Sequence, residues 1–204
     1  MNKLSSPDGL PVAFFETPDR WAAWLAKNHR ASSGLWLRIA KKTSGLVSQT
    51  YAEAVEVALA WGWIDSQLAR GDDQTYLQRF TPRKPRSPWS KINRDKALAL
   101  IRAGKMEPPG LAEVERARGD GRWDAAYDSA RTATVPSDLA AALAANKKAA
   151  AFFTTLDGAN RYAILYRVQT AKKEETRQRR IAELVAMLAR HETIHPPAKG
   201  VRKK

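Results

Sequence analysis

Residues His191-Glu192-Thr193-Ile194-His195 carry the sharpest chemical pattern in the chain. On a helix, histidines at i and i+4 place two imidazoles on one face, where they can hold zinc beside a glutamate that activates its water. Two features oppose that reading. Pro196 biases His195 away from helical geometry. No His, Cys, Asp or Glu follows to supply a third ligand. The sequence therefore predicts no metal site and calls for no cofactor. Nucleophilic catalysis finds no machinery either. His29, in Lys27-Asn28-His29-Arg30, reads as a cation complementing a helix end. Ser44 and Ser66 lack a visible base, and no glycine-rich phosphate loop occurs. The absence of cysteine excludes disulfides, thiolate ligands and thiol catalysis.

The richer stretch is 61–94. It holds Trp61, Trp63 and Trp89, a basic run of Arg79, Arg83, Lys84, Arg86, Lys91 and Arg94, and an acid, Asp65, directly after Trp63-Ile64. Pro82, Pro85 and Pro88 forbid regular structure between them and stiffen the path. Cations held apart on a stiff path, with Trp89 as a stacking plane, suit contacts to phosphates and bases. The plainer reading is a solvated loop whose tryptophan fills a gap in the core. Candidate ligand-binding residues are Trp63, Asp65, Arg79, Arg83, Lys84, Arg86, Trp89 and Asn93. Asp65 needs a cation or a donor. A three-residue hairpin loop puts Arg79 opposite it, so a cross-strand salt bridge is expected, with a ligand or catalytic role as the alternative.

The elements that position these residues follow from local signals. Thr17-Pro18-Asp19 starts a helix with Trp21, Trp24 and Leu25 on its apolar face. Leu35 to Ala40 reads as a strand. Thr50-Tyr51-Ala52-Glu53 is a capping box, and Gly62 ends the helix it opens. Trp63 to Ala69 and Thr75 to Thr81 form a hairpin around Gly71-Asp72-Asp73. Helices are predicted from Ser90, after Pro108-Pro109, over 138–145, from Asn146, from Asp157, and over 173–190. In the last, Ile181, Leu184 and Leu188 point inward, Arg177, Arg179 and Arg180 outward, and Glu175 pairs with Arg179. The fold class is α+β: a small antiparallel sheet of about three strands packed with helices, then a helical C-terminal half. The expected divisions are 12–124 and 136–190, with flexible ends at 1–11 and 196–204.

At 204 residues, 44% hydrophobic and 27% charged, the chain can bury one good core or two small ones and is not disordered throughout. Its net charge of +14 favours anionic partners: an anionic ligand, nucleic acid or an acidic protein surface. No stretch is long enough to span a membrane, and the first residues lack the apolar core of a signal peptide, so a cytoplasmic location is expected.

Gly62-Trp63-Ile64-Asp65, Phe80-Thr81-Pro82-Arg83, Ser87-Pro88-Trp89-Ser90 with Asn93, Gly121-Arg122-Trp123 and Glu175-Thr176-Arg177 with Arg179-Arg180-Ile181 occur in that order. Over about residues 12–190 this series resembles the YdeI/OmpD-associated, bacteriocin-protection family. The resemblance implies a role in stress response or in tolerance of bacteriocins or cationic peptides, and carries no reaction or catalytic residue with it. A basic protein repels a cationic peptide, so that role would be indirect. The leading expectation is a non-enzymatic binder of an anionic partner. The alternatives are an enzyme with a pocket around Trp63, Asp65, Arg83 and Trp89, and a nucleic-acid-binding protein.

Overall fold

The computed structural model describes residues 6–196. Of the expected flexible ends, residues 1–5 and 197–204 lie outside that range. The chain folds as two compact units: residues 6–89 with 93–124, and residues 90–92 with 125–196.

The first unit is built on a sheet of four strands, β1 (Val12–Phe14), β2 (Leu35–Ala40), β3 (Trp63–Arg70) and β4 (Thr75–Pro82), in the order β1-β2-β4-β3. The α+β class holds, with two corrections. Among the described residues there are four strands rather than about three, and the sheet is mixed, because β1 runs parallel to β2. Parallel neighbours need a crossover, and helix α1 (Pro18–Asn28) supplies it. The other pairings are antiparallel.

Alternation along the strands sorts the side chains onto two faces. Leu35, Leu37 and Phe80 share one face with Trp63 and are buried. Trp21 of α1 packs there, with its ring centroid 5.8 Å from Phe80 and 6.1 Å from Trp63, edge-on to the latter. Its indole N–H donates to the Ala54 carbonyl at 3.2 Å, tying α1 to helix α2 (Tyr51–Ala60). The opposite face carries Trp36, Arg38, Leu77 and Arg79. There Asp8 accepts from the Trp36 indole at 2.7 Å and pairs with Arg79 at 2.8 Å. Trp36 and Arg79 hold the Asp8 carboxyl below the usual carboxylate range.

Capping sets the helix limits. The Thr17 hydroxyl accepts from the Arg20 amide, and Thr50 and Glu53 make the reciprocal box at the start of α2. Gly62 ends α2 at φ +73°, a conformation that disfavours any side chain. Two further helices, α3 (Lys91–Arg102) and α4 (Pro108–Gly119), follow. Gly110 of α4 lies so close to α2 that a Cβ would sit 2.1 Å from the Ala60 carbonyl oxygen.

The second unit contains α5 (Ser137–Ala144), α6 (Lys147–Thr154), α7 (Gly158–Gln169) and α8 (Glu174–Ala189). Asn146 and Asp157 cap α6 and α7 through their side chains. Leu139, Phe153, Ile164, Leu165, Ile181 and Leu188 belong to its apolar core. No helix among the described residues is long and apolar enough to cross a membrane.

Candidate functional site

The proline-bearing loop after β4 is fixed from within. The Arg83 amide donates to the Gly62 carbonyl at 3.0 Å. The guanidinium turns inward, 5% exposed, with its central carbon 3.6 Å from the centre of the Trp89 ring and one N–H donating to the Pro88 carbonyl at 3.2 Å. Trp89 packs edge-on against Trp123 at 5.0 Å. Arg122, equally buried, donates to the Ser87 carbonyl at 2.8 Å and to the Asp120 carboxylate at 2.8 Å. A planar cation against an indole in a dry setting gains cation–π energy that water would otherwise screen. Glu113 of α4 pairs with Arg116 nearby. Burial pushes the Glu113 carboxyl above the usual carboxylate value, against the pull of Arg116, Arg83 and Arg122.

Lys84 and Arg86 point the other way. Both are exposed, and neither makes an ion pair among the described residues. The loop is thus rigid on its inner side and presents two uncommitted cations on its outer side. Asn93 sits in the first turn of α3 and is half-buried.

The remaining predicted site residues lie elsewhere in the first unit. Trp63 is core, 1% exposed, with its indole N–H on the His29 carbonyl at 3.3 Å. The expected Asp65–Arg79 bridge is not formed. Asp72 accepts from the Gln74 and Thr75 amides and from the Thr75 hydroxyl, which lengthens the turn so that Arg70 faces Tyr76. A bulge between Asp65 and Leu68 then shifts the register by one, and Asp65 faces Phe80. A one-residue change of register moves a side chain to the other face. Arg79 therefore meets Asp8, and Asp65 accepts from the Tyr51 hydroxyl at 2.6 Å. Asp65, Arg79 and Arg83 end with three different partners. Tyr51 also lines a small cavity with Leu68, Tyr76 and Gln78.

In the second unit, Arg177 corrects the outward reading of the α8 arginines. It grips both Asp138 carboxylate oxygens, at 2.5 and 2.9 Å, and donates to the Val168 carbonyl at 2.9 Å. Arg179 lies 3.9 Å from Glu183 instead of pairing with Glu175. Arg177 holds the Asp138 carboxyl below its usual value. Lys91 and Gln169 both bind the Asp128 carboxylate, and the Tyr162 hydroxyl donates to the Asp128 carbonyl. Burial pushes the Tyr162 phenol up to about 12. The two histidines of the His-Glu-x-x-His pattern are off the helix: α8 ends at Ala189, and His191 takes φ 59° and stacks on Phe152 at 4.8 Å. No group of three or more metal-ligating side chains occurs among the described residues.

The residues that sequence reasoning missed are Arg122, Glu113 and Asp8. The Gly-Arg-Trp motif at 121–123 contained the first of them. Asp8 carried no local signal, because its partners Trp36 and Arg79 are distant in sequence. Glu113 carried only its i, i+3 spacing to Arg116, which says nothing of its burial.

Compared with known proteins, residues 13–113 match a domain of unknown function, DUF8412. No curated protein and no solved structure matches the chain. Residues 132–191 match the family model described as bacteriocin-protection, YdeI or OmpD-associated. That span covers α5 to α8 and includes the Glu175-Thr176-Arg177 motif. The chain therefore carries a YdeI or OmpD-associated domain at residues 132–191, the family its ordered motifs resemble.

Proposed function

We propose that this protein is a non-enzymatic, cytoplasmic binder of an anionic partner, which it engages through the outer side of the 82–89 loop. One observation carries the reading: the loop is locked by Arg83 on Trp89 and by Arg122 on Ser87, while Lys84 and Arg86 make no ion pair among the described residues. A rigid loop offering uncommitted cations keeps a low ordering cost for binding. The net charge of +14 adds long-range attraction for the same partners. Any part in bacteriocin tolerance would then run through that anionic partner.

The test is fluorescence anisotropy with labelled single-stranded DNA and with labelled polyglutamate over a salt series. The Lys84→Gln/Arg86→Gln double variant is expected to bind the favoured probe about tenfold more weakly, and, if that probe is DNA, with a salt slope smaller by about 2. Preference for DNA over polyglutamate identifies the anion as nucleic acid; the reverse identifies an acidic protein surface. Equal affinity of the wild-type protein and the double variant for both probes would refute the proposal.

A second reading draws on the Tyr51–Asp65 hydrogen bond beside the cavity lined by Tyr76 and Gln78. A phenol bonded to a carboxylate is an acid–base pair. An enzyme working there would lose turnover in Asp65→Asn while staying folded.

A further inference from the structure

A cleft of about 530 Å³ lies along α1, lined by Phe15, Glu16, Arg20, Trp24 and Lys27 among others. The volume falls in the range of small-molecule sites. Arg20, Trp24 and Lys27 are spaced i, i+4, i+7 and so share one face of the helix. Trp24 is held by its neighbours: it stacks on Trp21 at 5.4 Å with 23° between the planes, and meets Trp63 edge-on at 5.9 Å. Trp21 and Trp63 are fully buried, whereas Trp24 remains partly exposed and lines the cleft. The indole is therefore a preorganised stacking plane with little conformational freedom to lose.

One helical turn to either side of it stand Arg20 and Lys27, both exposed and without an ion pair among the described residues. Asn28 is already committed, donating to the Trp24 carbonyl at 2.7 Å. Glu16, on the rim, adds one negative charge.

From this arrangement we infer a second ligand site, specific for a planar aromatic anion: the ring stacks on Trp24 and its negative group is held by Arg20 or Lys27. The site is separate in residues from the 82–89 loop and does not rest on the function proposed for it.

Isothermal titration with adenosine 5′-monophosphate tests the inference, with adenosine and inorganic phosphate as its two halves. The nucleotide is expected to bind about tenfold more tightly than either half, because stacking and charge act together. Trp24→Leu should weaken it about tenfold. Arg20→Gln and Lys27→Gln, on the surface and harmless to folding, should each weaken it several-fold and flatten its salt dependence. Glu16→Gln should tighten it. Lys84→Gln/Arg86→Gln should leave it unchanged. The inference is overturned if the nucleotide fails to bind at millimolar concentration or binds no better than phosphate. It is equally overturned if Arg20→Gln and Lys27→Gln bind like wild type, or if the Lys84/Arg86 variant is the one that loses binding.

Discussion

A double-mutant cycle on Arg83 and Trp89 measures the contact that shapes the 82–89 loop. Arg83→Met keeps most of the side-chain volume and removes the charge together with the bond to the Pro88 carbonyl. Trp89→Leu keeps an apolar residue and removes the ring. With Trp89 1% exposed, its truncation opens a cavity and should cost about 2–4 kcal/mol. The Arg83→Met loss should be smaller, about 1 kcal/mol, because removing a buried cation also removes its desolvation cost. Neither single value is diagnostic. The coupling is: a guanidinium 3.6 Å from the ring centre and 5% exposed belongs at the desolvated end of the cation–π range, so the cycle should return about 1.5–2 kcal/mol. Urea unfolding followed by indole fluorescence gives each corner. A coupling below about 0.5 kcal/mol, within ordinary additivity, would refute the argument that this pair fixes the loop.

Other expectations follow from the same geometry. Gly110→Ala should destabilise the first unit by about 1–3 kcal/mol, since its Cβ would meet the Ala60 backbone at 2.1 Å; thermal unfolding checks it. The Asp138 carboxyl titrates below its unfolded value of 3.8, so its stabilisation is present above that pH and is lost as pH falls through the folded value. Asp138→Asn should remove that acid-sensitive contribution and cost about 1 kcal/mol near neutrality, a modest figure because the side chain is 38% exposed and screened. Glu113 has the opposite sign: its carboxyl titrates above 4.5, so its contribution is fullest below that pH and is lost as pH rises through the folded value. NMR titration of Glu113 should place it higher still in Arg83→Met, because one attracting cation is gone.

Local chemistry made much of the fold legible. Thr17, the Thr50–Glu53 box, Asn146, Asp157 and Gly62 all act where their types and spacing put them. What stayed hidden depends on partners distant in the chain. Strand β1 has three residues, and only pairing with Trp36 and its neighbours makes it a strand. The Asp65 register failed because a bulge and an Asp72-built turn have no fixed sequence cost, yet one residue of slip exchanges the two faces. Within the candidate site, the basic run was visible as a run, but its division was not. Arg83 is buried against Trp89, while Lys84 is exposed, and adjacent cations of the same formal charge carry no mark of that difference.

The division into two units has a practical optical consequence. All seven tryptophans, at positions 21, 24, 36, 61, 63, 89 and 123, belong to the first unit. The second holds Tyr127, Tyr162 and Tyr166 and no indole. Emission excited in the indole band is therefore a reporter of one unit alone, while far-ultraviolet dichroism sums the helices of both. Recorded on one sample, coincident transitions would mark a single cooperative molecule, and separated ones two halves that melt independently.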